Sequence, residues 1–260
     1  MTVNKINLNS DIAEKNFKFF KTVDKQLISK INSANISCLY HGGQKDVVES
    51  AIKEIIKKKK EVSIGAHISF LDKENFGRSQ IKWNEGSIKY ILQEQINFLS
   101  NICKKYNEII THFKLHGALS NMASKDIDLA EVIVSYLKFH QPNIIVLAPV
   151  LSELAKASQK AGLRTALEVY ADRTYEDDGT LTPRSIKGSV ITSVKGAVDH
   201  VRNMLEKKSI KSRTGLEIYT KFDSVCIHSD TPNSVNICNE ICLMLSSMGI
   251  QQKKLTDFFN

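Results

Sequence analysis

The sequence lacks any long apolar run. Hydrophobic residues make up 42% of its 260 residues, but no stretch reaches the roughly 18 consecutive apolar residues that a membrane span requires. The first residues, MTVNKINLNSDIAEKNF, also lack the apolar segment and small-residue cleavage site of a signal peptide. We therefore expect a cytoplasmic globular protein with a substantial core and no membrane partner.

Cysteine pairs with the spacing C-x-x-C are absent as well. The chain has five cysteines, namely Cys38, Cys103, Cys226, Cys238 and Cys242. In a protein without a secretory signal, we expect none of them to form a disulfide. Cys38 and Cys226 fall inside apolar, strand-like runs, where a free cysteine usually packs as a small hydrophobe. A catalytic thiol is the alternative.

Motifs of the common nucleotide and nucleic-acid folds are also missing. No G-x-G-x-x-G follows the first apolar run, and no P-loop sequence occurs. The net charge is +8, but many of the lysines lie in helix-like segments such as residues 52–60 and 206–213, as solvated faces. Because no basic stripe is interleaved with aromatic residues, we expect no nucleic-acid partner.

Seven short runs rich in β-branched and apolar residues predict β-strands. They are residues 3–9, 34–40, 61–67, 111–117, 143–149, 164–171 and 223–229. Most are nearly continuous apolar segments, as expected for parallel strands that are covered on both faces. Between them lie segments in which apolar residues recur at helical spacing, as in residues 44–59, 85–106 and 232–249.

The alternation of strands and helical connections predicts an α/β fold with right-handed βα units. The sheet could close as a barrel or stay open as a doubly wound sheet. No low-complexity linker divides the chain. We favour a single domain over residues 1–260, a (β/α) barrel with seven parallel strands, one unit fewer than the usual eight.

Polar side chains gather at the predicted strand ends. They are Asp11 and Glu14, His41, His67, Lys114 and His116, Glu168 with Asp172 and Arg173, and His228 with Asp230. In a parallel barrel the carboxyl ends of all strands meet at one mouth, where active sites lie. We therefore predict a catalytic or binding site at this mouth.

Three chemistries stay open for such a mouth. Asp11, His41 and His67 could hold a divalent metal, or the histidines could act without metal as general acids and bases. Lys114 and Arg173 could instead neutralise a carboxylate or a phosphate. Spacing does not choose among them, because each residue comes from a different strand.

Six segments, read in order, carry a resemblance to a known family. They are INLNSDIAE, ANISCLYHGG, GAHISFLDKENFGR, FKLHGALSN, EVYADRTYEDDGTLTPR and CIHSDTPNSV. From about residue 6 to residue 250 the chain resembles the LamB/YcsF family. The fifth segment is the most specific, since an unrelated chain would hardly reproduce it in order with the others.

The resemblance implies a seven-stranded β/α barrel similar to the polysaccharide-deacetylase type. It also implies activity in an ATP-dependent 5-oxoprolinase, which opens the lactam of 5-oxo-L-proline to L-glutamate with ATP hydrolysis. The implied cosubstrate is ATP with Mg²⁺, and the implied partners are two further subunits, B and C. A bound divalent metal and a homo-oligomer both stay open.

Within this resemblance the polar residues receive expected roles. We expect catalytic residues in the set Asp11, His41, His67, Lys114, His116, Glu168, Asp172 and His228. We expect substrate or phosphate binding by Arg78, Arg173, Asp178, Arg184 and Asp230. In general terms, the cations would hold anionic groups, the histidines would move protons, and the carboxylates would orient groups or activate water.

Two loops are expected to cover the mouth. The first carries Arg173, Asp178 and Arg184, although Asp177-Asp178-Gly179 could equally be a plain turn. The second runs through HISFLDKENFGR, with Asp72, Phe76 and Arg78 as its candidate residues.

The sequence departs from the family pattern at several positions. Ser10 replaces a usual cysteine, and Gln44 replaces a usual aspartate close to His41. Ile68 and Leu115 replace usual prolines, and Ser229 replaces a usual glycine. The loss at position 44 calls into question any role that needs a carboxylate beside His41.

Two other functions fit the same residues. One is a metal-dependent, deacetylase-like amidohydrolase that acts alone, which the barrel and the Asp/His set would permit. The other is a non-catalytic binding or regulatory subunit that kept the barrel while positions 10 and 44 changed.

Overall fold

The computed structural model describes residues 4–58 and 61–259. Its strands are β1 (Lys5–Ile12), β2 (Ser33–Ser37), β3 (Ser63–Ile68), β4 (His112–Leu115), β5 (Ile145–Pro149), β6 (Arg164–Tyr170), β7 (Ser209–Lys211), β8 (Glu217–Tyr219), β9 (Ser224–Cys226) and β10 (Gln251–Gln252). Its helices are α1 (Phe17–Phe19), α2 (Lys25–Ile28), α3 (Lys45–Ile56), α4 (Glu85–Lys105), α5 (Gly117–Ala123), α6 (Ile127–His140), α7 (Glu153–Lys160), α8 (Val194–Lys207) and α9 (Ser234–Ser247). A π-helical turn (Phe20–Asp24) joins α1 to α2, and a 3₁₀ turn (Leu255–Phe258) follows β10.

Within the described residues, seven parallel strands close into a barrel in the order β1-β2-β3-β4-β5-β6-β9. The barrel closes because β9 pairs with both neighbours, so that Cys226 is opposite Asn9 on β1 and opposite Tyr170 on β6. All seven predicted strands form, and the predicted (β/α) barrel is confirmed. The first predicted strand begins at Val3, which lies outside the described residues.

Helices cover the outside of the barrel with their apolar stripes. In α3 the buried residues are Val47, Val48, Ala51, Ile52 and Ile55, which recur at helical spacing. Helix α4 begins with a capping box, in which the side chains of Asn84 and Ser87 each accept from the other's backbone N–H and so satisfy two amides that the helix leaves unpaired. The helices predicted in residues 44–59, 85–106 and 232–249 are confirmed as α3, α4 and α9; Lys59, at the end of the first, lies outside the described residues.

The barrel interior is polar, unlike the apolar interior of most β/α barrels. Along β1, Asn7, Asn9 and Asp11 occupy alternate positions and are fully or almost fully buried. The amide of Asn9 donates across the barrel to Glu168 Oε1 over 2.8 Å. Strand β1 therefore continues to Ile12 and includes Asp11. The sequence predicts that it ends at Asn9, because polar residues that face the interior interrupt the apolar run.

The polar network extends to His112, the first residue of β4. Its Nε2 lies 2.9 Å from Asn35 Oδ1, and the Asn35 amide donates to Asp11 Oδ1. Gly65 makes room for this ring, because a Cβ at position 65 would lie 2.1 Å from His112 Nε2. Burial lowers the pKa of His112 to about 3, so the ring is neutral. It has a structural role as a hydrogen-bonding partner of Asn35.

The helix expected for residues 206–213 is wrong beyond Lys207. Helix α8 ends there, Lys208 adopts the left-handed conformation with φ 53°, and β7 pairs antiparallel with β8. Ser209 and Ile210 are buried while Lys211 is exposed, so this segment packs as a short strand despite its high charge. In residues 4–58 and 61–259, no helix is long and apolar enough to cross a membrane.

Candidate active site

A cavity of about 310 Å³ opens at the carboxyl ends of the barrel strands. This volume lies at the lower end of the range for small-molecule sites, about 300–1,000 Å³. Most of the predicted site residues line it, namely Asp11, His67, Arg78, Lys114, His116, Arg173, Arg184, His228 and Asp230. The cavity is therefore small and densely charged.

Lys114 lies between two carboxylates inside the barrel. Its ammonium is 3.0 Å from Asp11 Oδ1 and 2.9 Å from Glu168 Oε1. Burial opposes the charge of Lys114, which is only 3% exposed, but Asp11 and Glu168 outweigh burial and raise its pKa well above the ordinary value. Burial also opposes ionisation of Asp11, whose pKa is nevertheless held well below its usual range by His67 and Lys114. The site thus contains a fixed ammonium group between carboxylates.

Buried Asp172 and partly buried His228 form a second pair. His228 Nδ1 lies 2.8 Å from Asp172 Oδ1, and the hydroxyl of Thr231 donates to Asp172 Oδ2. The other ring nitrogen of His228, Nε2, lies 3.9 Å from Asp11 Oδ2. Burial alone would lower the pKa of His228, but the charge of Asp172 and the hydrogen bond to it raise that pKa above its ordinary value. The raised pKa favours the imidazolium form of His228 at the cavity wall.

Three imidazoles surround the carboxylate of Glu14. Glu14 Oε1 lies 2.9 Å from His41 Nε2, 3.2 Å from His116 Nδ1 and 3.5 Å from His67 Nε2. Burial lowers the pKa of His41 to about 4 and also lowers that of His67. Burial opposes the charge of Glu14, yet its close contacts with His116 and His41 hold its pKa well below the usual range. This buried His/Glu cluster could hold a divalent metal.

Glu14 is the site residue to which the sequence assigns no role. It follows the first predicted strand, but the predicted metal candidates are Asp11, His41 and His67. In the structure Ala13 has φ 64°, a backbone conformation that is uncommon for a residue other than glycine. The carboxylate that reaches His41 is that of Glu14, whereas Asp11 approaches His67 at 3.4 Å. The only signal in the sequence is a second carboxylate three residues after Asp11.

The two predicted covering loops contribute unequally to the cavity. Phe76 and Arg78 line it; Arg78 donates to Asp230 Oδ2 over 2.8 Å and lies over the Phe76 ring. Arg173 donates to the backbone carbonyls of Ser189 and Thr182, so it holds its own loop in place. Burial and the nearby Arg184 lower the pKa of Arg173 to about 10.

Asp72 and Asp178 do not line this cavity. Asp72 accepts from the backbone N–H groups of Asn75 and Ser79 within its own loop. Asp178 accepts from the backbone N–H of Thr180 and faces a second cavity of about 440 Å³. Tyr170, Leu181, Pro183 and Asn121 line both cavities, so the two adjoin.

The departures at positions 10 and 44 lie outside the cavity. The hydroxyl of Ser10 donates to the backbone carbonyl of Ile227. Gln44 is exposed and is the N-cap residue of α3, where its side chain makes no capping hydrogen bond. The carboxylate beside His41 is supplied by Glu14, so the loss at position 44 removes no partner of His41.

Replacing Gln44 with aspartate is expected to stabilise the protein and leave turnover unchanged. Residue 44 already has the extended conformation of an N-cap, with φ −138° and ψ 150°, and an aspartate there accepts from free amides of the first turn, worth about 1 kcal/mol. For a chain of this size that raises the melting temperature by about 2–4 °C. Calorimetry measures the shift, with Gln44→Ala as the control that lacks the acceptor. A loss of turnover in Gln44→Asp would instead place position 44 in the site.

Comparison with known proteins places the chain in a family. The sequence model of the LamB/YcsF family matches residues 6–260. The A subunit of 5-oxoprolinase from Clostridium beijerinckii is 36% identical over 247 residues, covering 95% of this chain and 96% of that protein. The protein of the same name from Bacillus subtilis is 34% identical over 252 residues, covering 97% of each chain.

Solved structures agree with this placement. The lactam utilization protein from Thermus thermophilus has a TM-score of 0.86 and 29% sequence identity, covering 96% of this chain and 99% of that one. A T48 deacetylase with substrate, at a TM-score of 0.51 and 12% identity, shares the fold alone. From the family match and the near full-length relatives, we conclude that this chain belongs to the LamB/YcsF family.

Proposed function

We propose that the chain is the A subunit of an ATP-dependent 5-oxoprolinase, which opens the lactam of 5-oxo-L-proline to L-glutamate with ATP hydrolysis. The relatives named as 5-oxoprolinase A subunits support the assignment over almost the whole chain. The observation that carries it is the small charged cavity, which places the Lys114 ammonium and the Asp172–His228 pair at one mouth. The partners would be the B and C subunits, and residues 1–260 would work as one cytoplasmic domain.

Coupling to ATP would overcome the low reactivity of the substrate. A five-membered lactam has a stable amide bond, and its carbonyl is a poor electrophile. Transfer of the γ-phosphoryl group of ATP to the lactam oxygen makes that carbon electrophilic. Water then adds to the carbon, the ring C–N bond breaks while the nitrogen takes up a proton, and the resulting acyl phosphate is hydrolysed by a second water to L-glutamate and phosphate.

The cavity offers groups for the charges in this sequence. Lys114, buried and held between Asp11 and Glu168, would stabilise the negative charge of the phosphoryl group as it is transferred to the lactam oxygen. His228, with a raised pKa, would donate the proton that the ring nitrogen takes up as the C–N bond breaks. Arg78 and Arg184 would bind the carboxylate of the substrate or a phosphate group. Arg173 would act indirectly, since it orders the loop that carries Arg184.

The test is glutamate release from 5-oxo-L-proline, with and without ATP and Mg²⁺, by this chain alone and after mixing with the B and C subunits. Turnover in the ATP-containing mixture only, with about one ADP formed per glutamate, is the expected result. Absence of turnover in every mixture, although 5-oxo-L-proline binds the chain, would contradict catalysis and indicate a purely binding role.

One observation favours a second candidate, a metal-dependent amidohydrolase that acts alone. The His/Glu cluster beside the cavity has the ligand types of a hydrolytic metal site. Hydrolysis by the isolated chain, independent of ATP and abolished by a chelator, would favour this candidate over the first.

A further inference from the structure

The tautomer of His116 is fixed by a partner outside the Glu14 cluster. Its Nε2 lies 2.9 Å from the carbonyl oxygen of Phe76, and a carbonyl can only accept. Nε2 therefore carries the proton, and in the neutral ring Nδ1 presents a lone pair. That lone pair faces Glu14 Oε1 at 3.2 Å and His67 Nε2 at 3.0 Å.

His41 is fixed in the corresponding way. Its Nδ1 lies 2.9 Å from Ser69 Oγ, and the Ser69 hydroxyl donates to the Phe70 carbonyl. Ser69 Oγ must then accept from His41 Nδ1–H, which leaves a lone pair on Nε2, 2.9 Å from Glu14 Oε1. The Gln95 side chain holds Ser69 in place through the Ser69 backbone N–H and carbonyl.

Lone pairs that face a carboxylate at these distances repel it unless a proton or a metal cation lies between them. Protonation of both the His41 and the His116 ring would remove this repulsion. However, the rings of His41 and His116 are stacked, with centroids 3.8 Å apart and an angle of 11° between their planes. Protonating both would place two cations face to face in a buried site, whereas a single divalent ion binds both lone pairs at one point.

The geometry points to that ion, and we propose that Glu14, His41, His67 and His116 form a binding site for one divalent transition metal of the zinc class. Four ligands at about 2.0–2.1 Å around a tetrahedral metal lie about 3.3 Å from one another. The measured separations are 2.9, 3.2 and 3.5 Å from Glu14 Oε1 to the three nitrogens, and 3.0 Å between His67 Nε2 and His116 Nδ1. Outward hydrogen bonds fix the tautomers of His41 and His116, as is usual for metal-bound histidines, whereas His67 Nδ1 has no such partner among the described residues.

A second group of metal-binding residue types, Asp11, Cys226 and His228, does not fit as well. The Lys114 ammonium lies 3.0 Å from Asp11 Oδ1 and 3.1 Å from Cys226 Sγ. A cation already occupies the position between these two ligands. The proposed site has no lysine or arginine among the groups within 3.5 Å of Glu14 Oε1 that the described residues show.

The proposed site borders the cavity, since Glu14, His67 and His116 line it. A metal there would be a Lewis acid for an oxygen atom held in the cavity. That role rests on the proposed function, but metal binding itself needs neither substrate nor partner subunits. An experiment can therefore contradict metal binding without contradicting the proposed function, and the reverse.

The experiment uses the full chain, stripped with a chelator and dialysed against Zn²⁺ or Co²⁺. We expect about one metal ion per chain by elemental analysis, and for Co²⁺ the strong visible absorption of a tetrahedral site. Glu14→Gln and His116→Asn should each weaken Zn²⁺ binding at least about 100-fold, and Ser69→Ala, which loses only the support of His41, by about 10-fold.

Two matched variants serve as controls. His228→Asn alters the competing group, and His140→Ala removes a histidine on α6 that stacks on Tyr136; both should bind Zn²⁺ like the unaltered chain. Melting temperatures of the metal-free variants show whether each one folds. The proposal is overturned if the unaltered chain binds no stoichiometric metal, if folded Glu14→Gln binds as tightly, or if His228→Asn abolishes binding.

Discussion

Replacing Lys114 with methionine is expected to abolish turnover in the proposed ATP-dependent 5-oxoprolinase, with a loss of about 10³-fold or more in kcat. The ammonium is the fixed cation of the cavity, 3.0 Å from Asp11 and 2.9 Å from Glu168. Methionine has a similar length and an apolar end, so the variant removes the charge while it keeps most of the volume. The measurement is ATP-dependent glutamate release with saturating B and C subunits.

The same substitution is expected to destabilise the fold in a pH-dependent way. Without Lys114, two buried carboxylates lose their partner, which costs about 3–5 kcal/mol when both are ionised. The pKa of Asp11 is depressed in the unaltered protein, so its contribution to stability is present above the ordinary pKa and is lost as pH falls through the depressed value. Without the ammonium that pKa rises, and the gap in melting temperature between the two proteins should therefore be larger at pH 8 than at pH 5.

Substitution of a second lysine, Lys125, is the control that distinguishes these effects from the loss of any one positive charge. Lys125 is exposed and pairs with Asp178 at 3.5 Å beside the second cavity. Lys125→Met should change neither turnover nor the melting temperature measurably, since exposed ion pairs contribute little. If Lys114→Met were folded at the assay temperature and kept near-normal kcat, Lys114 would be a structural cation only.

The strands of this fold can be predicted because most of them are apolar on both faces. β5, for instance, carries Val146 and Ala148 together with Ile145 and Leu147, all fully buried, and the sequence shows it as one apolar run. The prediction for β1 is too short, since Asn9 and Asp11 face a polar interior. The hairpin of β7 and β8 escapes prediction, because its three-residue strands follow a charged helix end that has the composition of a helix.

The sequence predicts which residues lie at the mouth of the barrel, because they follow the strand ends. It does not predict which of these residues contact one another. Strand order brings Lys114 and His228 to one mouth in any parallel barrel. Which carboxylate meets which histidine depends on local backbone geometry that no spacing encodes. The positive φ of Ala13 and the backbone carbonyl of Phe76 that fixes His116 are examples. For this reason the sequence assigns Glu14 no role, and the family pattern puts a carboxylate close to His41 at position 44, where this chain has glutamine.

Replacing Asp172 with asparagine is expected to lower kcat by about 10³-fold, because it removes the charge that keeps His228 protonated and oriented. Asp172 is fully buried and accepts from both His228 and Thr231. Asparagine keeps the shape of the side chain, so the ring should stay close to its present place. The loss is measured in the assembled enzyme with ATP, alongside melting temperatures that confirm folding.

The pH dependence of kcat shows whether Asp172 acts through the pKa of His228. In the unaltered enzyme that pKa is raised, so a general acid at this position remains protonated, and active, up to a pH above the ordinary range of histidine. Activity should fall as pH rises through that pKa, and in Asp172→Asn this alkaline decline should move to lower pH. Asp230→Asn, which breaks the pair with Arg78, should leave the position of the decline unchanged. A decline that stays in place in Asp172→Asn while kcat falls would mean that His228 is not the acid that protonates the ring nitrogen.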